Sequence, residues 1–335
     1  MGLVAESANV TVKNIWIDEG DDDADVTQTS SPGIEIRKCN RSLVEGCHVQ
    51  NTCGHHPEHA DMDTFRGIGI ALDDSDYCTV RKNKVTLCSH GAISIRNNCH
   101  HCNIEGNYCY NTGYEGIVVC NKTFGTSSAT GEGCTDINIT GNQVWDCGTA
   151  GTSAGIYVED QATSGDGNNN YRINIANNIV RTISAGAMSG IIILRQSGTT
   201  YTQQYCNIVG NVISGTILGI KLDYAPKCLV FGNTINGCLT YSGISVSHSD
   251  YTAVVGNSCS DALSTSGGNG IGLSASNYCI ISGNILTGNA SHQFYMWDVC
   301  TDNQITGNII TTVSDKSCIM FGAAGQVRNL ISGNK

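Results

Sequence analysis

The chain has 335 residues, of which 40 are glycine, only 3 are proline and 14% are charged, and its formal net charge is −11. No apolar run approaches the ~20 residues of a membrane-spanning helix, and no segment shows the 3.6-residue period of an amphipathic helix. The acidic balance makes nucleic acid and anionic membranes poor partners. It still allows an anionic polysaccharide to bind if arginine, lysine or a divalent cation lines the groove.

Short apolar segments recur along the chain, beginning with Val10–Ile17. One part of each repeat reads Gly-Ile-x-Ile or a close variant, at Gly33–Ile36, Gly116–Val119, Gly155–Val158, Gly190–Ile193, Gly219–Leu222, Gly243–Val246 and Gly270–Leu273. The other part carries Gly-Asn between aliphatic residues, with the asparagine at positions 107, 142, 211, 233, 257, 284, 308 and 334 and degenerate copies at Asn83 and Asn178. A period of about 24 residues with occasional insertions indicates a solenoid.

Each repeat reads as three short strands joined by three corners. In Gly219–Asp223, Ile220 and Leu222 point one way while the intervening side chains point the other, which is the period of a β-strand. Glycine and asparagine suit the corners because both tolerate left-handed backbone angles. Stacked coils form parallel sheets, and parallel crossovers are right-handed. We therefore predict an all-β fold, a right-handed parallel β-helix solenoid of about eleven coils and three parallel sheets, with one corner formed by stacked Asn107, Asn142, Asn211, Asn233, Asn257, Asn284 and Asn308.

This repeat resembles that of the pectin-lyase-like superfamily of right-handed parallel β-helices, and the resemblance covers nearly the whole chain. It implies a polysaccharide lyase, a glycoside hydrolase or a phage tail-spike protein. In that superfamily the binding groove runs along the first sheet, between long loops.

The repeat also sets the domain organisation, because residues 1–335 form a single solenoid domain in this interpretation. Val10–Ile17 is already a coil, and Ile331–Lys335 ends within another. We expect the chain to be part of a longer protein, since a solenoid needs polar caps at its ends.

The 18 cysteines follow the repeat, which predicts packing rather than disulfide bonding. Those at the start of the second strand should be buried, inward-facing and largely unbridged: Cys78, Cys102, Cys206, Cys228 and Cys279. Free cysteine behaves as a small apolar residue. Mostly reduced thiols favour folding in a reducing compartment.

Candidate functional residues lie on the outward face of the first strand of each coil. Stacked coils are ~4.8 Å apart, so Glu159 and Asp223, two coils apart, are separated by roughly 9–10 Å. That is near the ~6.5–9.5 Å between the acid and base of an inverting glycosidase. The catalytic candidates are Glu159, Asp223 and Asp73, and the substrate-binding candidates are Arg96, Tyr157, Arg195, Lys221 and His90.

Two further observations bear on this face. Ser89–Gly91 resembles the Gly-His-Gly segment of polygalacturonases, which makes His90 a candidate. Insertions at 121–134, 160–171 and 196–205 follow the first strand, and those at 18–32 and 50–66 precede it. Long loops often carry function, and these would wall the face into a cleft. The alternative is a solvated sheet face with ordinary charges.

Metal binding is not expected, although two segments are rich in ligating residues. Cys53–Asp63 contains three histidines, one glutamate and two aspartates, and is either a transition-metal site or a polar lid. The acidic segment 18–25 could hold calcium through carboxylate oxygens, but it lacks EF-hand spacing. We expect no cofactor, with calcium as the candidate divalent cation.

Two classes of function remain open. The first is a carbohydrate-active protein that binds and cleaves a polysaccharide as a lyase or glycoside hydrolase, as a phage tail-spike depolymerase does. The second is a non-catalytic structural or adhesive fibre, and a carbohydrate epimerase is a third option. The expected partner is a polysaccharide, the expected assembly a homotrimer, and the expected location a virion or the extracellular space.

Overall fold

A computed structural model describes residues 3–18, 32–52, 67–121, 133–148, 154–160, 170–183, 188–195, 204–312, 317–322 and 325–335. These residues form 35 strands, numbered β1 to β35 in chain order, and contain no helix. None of the described residues therefore lies in a helix long and apolar enough to cross a membrane.

The strands form three parallel sheets of 12, 12 and 11 strands, each taking every third strand of the chain. The first sheet contains β1 (Leu3–Ala5), β4 (Ile34–Arg37), β7 (Ile70–Asp73), β10 (Ile93–Arg96), β13 (Ile117–Cys120), β16 (Ala154–Asp160), β19 (Ser189–Arg195), β22 (Ile220–Asp223), β25 (Ile244–Ser247), β28 (Ile271–Ser274), β31 (Phe294–Trp297) and β34 (Ile319–Phe321). The second contains β2 (Thr11–Lys13), β5 (Leu43–Glu45), β8 (Thr79–Arg81), β11 (Asn103–Glu105), β14 (Asn138–Thr140), β17 (Asn174–Ala176), β20 (Asn207–Val209), β23 (Leu229–Phe231), β26 (Ala253–Val255), β29 (Ile280–Ser282), β32 (Gln304–Thr306) and β35 (Leu330–Ser332). The third contains β3 (Trp16–Asp18), β6 (His48–Gln50), β9 (Lys84–Thr86), β12 (Tyr108–Tyr110), β15 (Gln143–Trp145), β18 (Ile179–Arg181), β21 (Val212–Ser214), β24 (Thr234–Asn236), β27 (Ser258–Ser260), β30 (Ile285–Thr287) and β33 (Ile309–Thr311). The predicted β-helix of about eleven coils and three sheets is confirmed.

The asparagine stack is confirmed at the corner between the second and third sheets. The Asn233 side-chain oxygen accepts from the backbone N–H and the side-chain amide of Asn211, each at 2.9 Å. The Asn233 amide in turn donates to the Asn257 side-chain oxygen at 2.9 Å. The same pattern runs from Asn83 to Asn334. The ladder therefore satisfies backbone donors that the parallel sheets leave open at this corner.

Glycine has two separate roles in the repeat. In Gly-Asn the glycine takes the left-handed backbone, as at Gly232 with φ +63°, while the asparagine supplies the ladder. In Gly-Ile-x-Ile the reason is space, because a Cβ on Gly219 would collide with the carbonyl oxygen of Gly243 and with Ile235. Both motifs thus follow from local backbone geometry.

The interior is a continuous stack of aliphatic and cysteine side chains. All 17 described cysteines are unbridged, and all but Cys318 are buried. The prediction for Cys78, Cys102, Cys206, Cys228 and Cys279 is confirmed. These thiols act as small apolar side chains that fit the narrow core of each coil.

Candidate active site

The outward candidate residues of the first sheet are aligned from strand to strand, as predicted, and the aligned positions are called the column. The register pairs Asp73 with Arg96, and Cys120 with Glu159. It continues through Leu194 to Asp223. Glu159 and Asp223 are therefore two strand spacings apart, roughly 9–10 Å, and the apolar side chain of Leu194 lies between them.

A carboxyl outside the predicted column lies near one end of this face. Glu115 lies two residues before the first residue of β13, and its side chain is 13% exposed. Burial, and to a smaller extent the nearby charge of Glu159, raise the pKa of Glu115 to about 7. The Nδ1 atom of His90 lies 3.8 Å from a Glu115 carboxylate oxygen. Glu115 can therefore hold or release a proton near neutral pH.

Tyr157 lies on the neighbouring strand β16, two residues before Glu159, and interacts electrostatically with Glu159 and Glu115. It packs against a small apolar cluster on this face, formed by Ile68, Ala71, Val118 and Cys120. Burial raises the pKa of Tyr157 strongly, and the charges of Glu159 and Glu115 raise it further. The phenol therefore stays protonated and is suited to donate a hydrogen bond.

Arg96 and Asp73 lie together beside this group, as the sequence predicts. The Arg96 guanidinium is fully buried; burial lowers its pKa, while the charge of Asp73 counteracts that. Asp73 accepts a hydrogen bond of 2.6 Å from Asn97 and lies 3.5 Å from the Arg37 Nε. An enclosed arginine does not contact a polymer at the surface, so its charge acts on the neighbouring acids.

A second polar cluster lies on β19, β22 and β25. Lys221 Nζ is 3.2 Å from the Asp223 carboxylate, and His248 Nδ1 is 3.6 Å from it. The Arg195 guanidinium lies 3.7 Å from the Tyr224 ring centroid, and Tyr224 stacks on His248 at 4.3 Å. Lys221 and His248 thus contact the Asp223 carboxylate, and Arg195 lies beside them over the Tyr224 ring. The cluster gathers basic side chains on one face of an acidic protein.

The structure divides the predicted residues into two groups. His90, Tyr157 and Glu159 share the surroundings of Glu115, and the Arg96–Asp73 pair begins two strands away from Glu159. Asp223, Lys221 and Arg195 belong to the second cluster. Sequence reading missed Glu115 because it considered only positions between and after the aliphatic residues of the strand. It missed Tyr224 and His248 because they follow their strands, where both adopt left-handed backbone with φ of 55° and 48°. All three could have been found from the Gly-Ile-x-Ile motif, because Glu115 directly precedes one copy and Tyr224 and His248 lie two residues after the last residue of two others.

Within the described ranges, no group of three or more histidine, cysteine, aspartate or glutamate side chains could hold a metal ion. The candidate segments 53–63 and 19–25 lie outside the described residues. The loops expected to wall the cleft lie largely outside them as well.

Two family models match the sequence. The model described as "Periplasmic copper-binding protein (NosD)" matches residues 123–335, and that described as "Right handed beta helix region" matches residues 2–135. The second match agrees with the predicted handedness. No curated protein matches the sequence.

Solved structures with the same fold are distant in sequence. The A-module of a mannuronan C-5 epimerase from Azotobacter vinelandii superposes with a TM-score of 0.62 at 12% identity, over 99% of this chain and 78% of that one. A lacto-N-biosidase from Eubacterium ramulus gives 0.56 at 13% identity, over 100% and 59%. A tailspike protein of E. coli bacteriophage HK620, in complex with a pentasaccharide, gives 0.50 at 13% identity, over 89% and 56%. At these identities the likeness shows the fold.

Proposed function

We propose that this chain, which belongs to the NosD family, binds an acidic polysaccharide along the outer face of its first sheet and changes its covalent structure there. The observation that carries the proposal is the trio of Glu115, Tyr157 and Glu159, where burial and mutual charge bring the pKa of one carboxyl to about 7. Strongly shifted pKa values in a cluster of acids are typical of catalytic sites.

The trio suits general acid–base chemistry. Glu115 can carry a proton at neutral pH, and Glu159 supplies a second carboxyl on the adjacent strand. Glycoside hydrolysis needs such a pair to protonate the leaving oxygen and to activate water. Lyase or epimerase chemistry instead removes the proton beside a sugar carboxylate. Tyr157 can donate a hydrogen bond to the developing charge in either case.

The second cluster supports the acidic nature of the substrate. Lys221 and Arg195 offer positive charge on the same sheet face, and arginine and lysine bind carboxylates by charge-assisted hydrogen bonds. Asp223 is already ion-paired there and lies two strands from Glu159. We therefore give Asp223 a substrate-binding role and pair Glu159 with Glu115.

Mutation separates these roles. We expect Glu159→Gln and Glu115→Gln to lower the conversion rate by ~10²–10⁴ with unchanged polymer binding, and Asp223→Asn to act mainly on binding. Glu105→Gln is the matched control, because Glu105 is half exposed on the second sheet. Substrates would be polymannuronate, polygalacturonate and a neutral glucan, scored by reducing ends, unsaturated products and deuterium uptake from D₂O. Unchanged conversion in both glutamate variants would refute the assignment.

The non-catalytic alternative has its own outcome in that assay. An adhesive fibre would bind a polymer and convert none of them. The tailspike likeness supports testing the homotrimer in solution. The family description, together with a polysaccharide substrate, favours a location outside the cytoplasm, in the periplasm, on a virion or at a surface.

Copper binding, which the family description names, fits the described residues poorly. Copper favours thiolate, thioether and imidazole ligands, but every described cysteine except Cys318 is buried. Burial also disfavours the thiolate form, as at Cys147, whose pKa it raises to about 11. No group of three or more histidine, cysteine, aspartate or glutamate side chains among the described residues could hold a metal ion. The proposed chemistry therefore uses only the acid–base side chains named above.

A further inference from the structure

An aromatic cluster lies on the same sheet face, far from the acid–base trio. The Tyr295 ring stacks on Trp297 with ring centroids 5.2 Å apart and lies tilted against His292 at 5.3 Å. Tyr295 and Trp297 lie on β31, facing outward, and both are partly exposed. They form an aromatic surface next to the small outward residues of β25 and β28, which are Ser245, Ser247, Gly272 and Ser274.

Two glycines make room for these rings. A Cβ on Gly272 would lie 2.7 Å from the Trp297 indole, so the ring lies flat over the neighbouring strand β28. A Cβ on Gly322 would collide with the Tyr295 hydroxyl. Glycine at positions 272 and 322 therefore leaves the space that the two rings occupy in this orientation.

Tyr295 and Trp297 are aligned in register with the residues of the proposed site, farther along the same sheet. The register carries the Glu159 column through Asp223, Ser247 and Ser274 to Trp297. Five strand spacings separate Glu159 from Trp297, about 24 Å. The small side chains between the second polar cluster and the rings leave the intervening face shallow.

We propose that Tyr295 and Trp297 form a distal sugar-binding subsite for a long polysaccharide chain held along the first sheet. Flat aromatic faces pack against apolar C–H surfaces, and tryptophan and tyrosine that a ligand covers carry a large share of the binding energy. This inference rests on the proposed function, since the chain that reaches the rings is the one held at Glu159. Its consequence is that affinity rises with chain length.

The test is binding of the whole chain to polymannuronate and polygalacturonate, and to short oligomers of each, by calorimetry. We expect Trp297→Ala to weaken binding of the long polymer about tenfold and to leave the short oligomers unaffected. Gly272→Ala, which displaces the indole without removing it, should also weaken binding of the long polymer. Tyr278→Ala is the control, because Tyr278 is an exposed, stacked aromatic outside this face.

The outcomes distinguish the two proposals. If Glu159→Gln abolishes conversion but Trp297→Ala binds polymer like the parent, the distal subsite is wrong and the proposed function stands. If polymers bind in a Trp297-dependent manner without conversion, the subsite stands and the enzyme assignment fails. The subsite is also refuted if the parent protein binds neither polymer. It is refuted as well if Trp297→Ala changes the oligomeric state and leaves polymer binding unaltered.

Discussion

Replacing Asn233 by leucine tests how far the asparagine ladder holds the β-helix together. Asn233 is 1% exposed. Its side-chain oxygen is the acceptor for the Asn211 backbone N–H, and its amide donates to the Ile208 carbonyl at 2.9 Å. Leucine has the same branched shape and the same number of side-chain heavy atoms but neither polar group, so the change removes the hydrogen bonds while keeping the site filled.

The magnitude follows from what remains buried without a partner. The Asn211 N–H loses its acceptor, which costs ~1–3 kcal/mol for a buried donor. The bonds from the Asn211 amide, to the Asn257 oxygen and to the Ile208 carbonyl are also lost, each worth ~0.5–1.5 kcal/mol net. Neighbouring losses are not additive, so we expect the free energy of unfolding to fall by about 3–5 kcal/mol.

The assay is urea unfolding followed by circular dichroism, with Asn236→Leu as the control. Asn236 lies three positions later in the same coil, is exposed, and bonds only Ser260 and Asp261 side chains. Its replacement should change stability by about 0.5 kcal/mol or less. Equal unfolding midpoints for the two variants would refute the structural role of the ladder.

Two further predictions concern thiols and pH. Denatured, non-reduced protein should titrate with most of its 18 cysteines as free thiols; a count near zero would show a disulfide-bonded protein. In the native state Cys318 should be alkylated well before the buried cysteines, such as Cys238, whose thiol pKa burial raises to about 12; uniform labelling would contradict the burial. For Glu115, the folded pKa of about 7 lies above the unfolded 4.5, so the folded state keeps a proton that the unfolded state releases. Stability should therefore fall as pH rises from about 4.5 to about 7, by on the order of 3 kcal/mol, and then level off. The same slope in Glu115→Gln would exclude this residue as its source.

The candidate site was only partly predictable. Glu159, Tyr157, Asp223 and Lys221 could be assigned to one face because period-2 alternation and strand register place them there. The partnerships within that face could not, because they depend on side-chain direction and burial rather than on position in the repeat. Glu115 shows the limit: it lies outside the strand, and its side chain turns onto the face that Tyr157 occupies.

The sequence by itself determined the β-helix, the stacked asparagines and the inward cysteines. A repeat that must bury its apolar side chains against copies of itself allows few other arrangements. Only the tertiary structure decided that Arg96 is enclosed, that Asp223 joins Lys221 and His248, and that Trp297 lies over Gly272. Contacts between successive coils depend on the insertions and side chains of each coil, which the repeat does not encode.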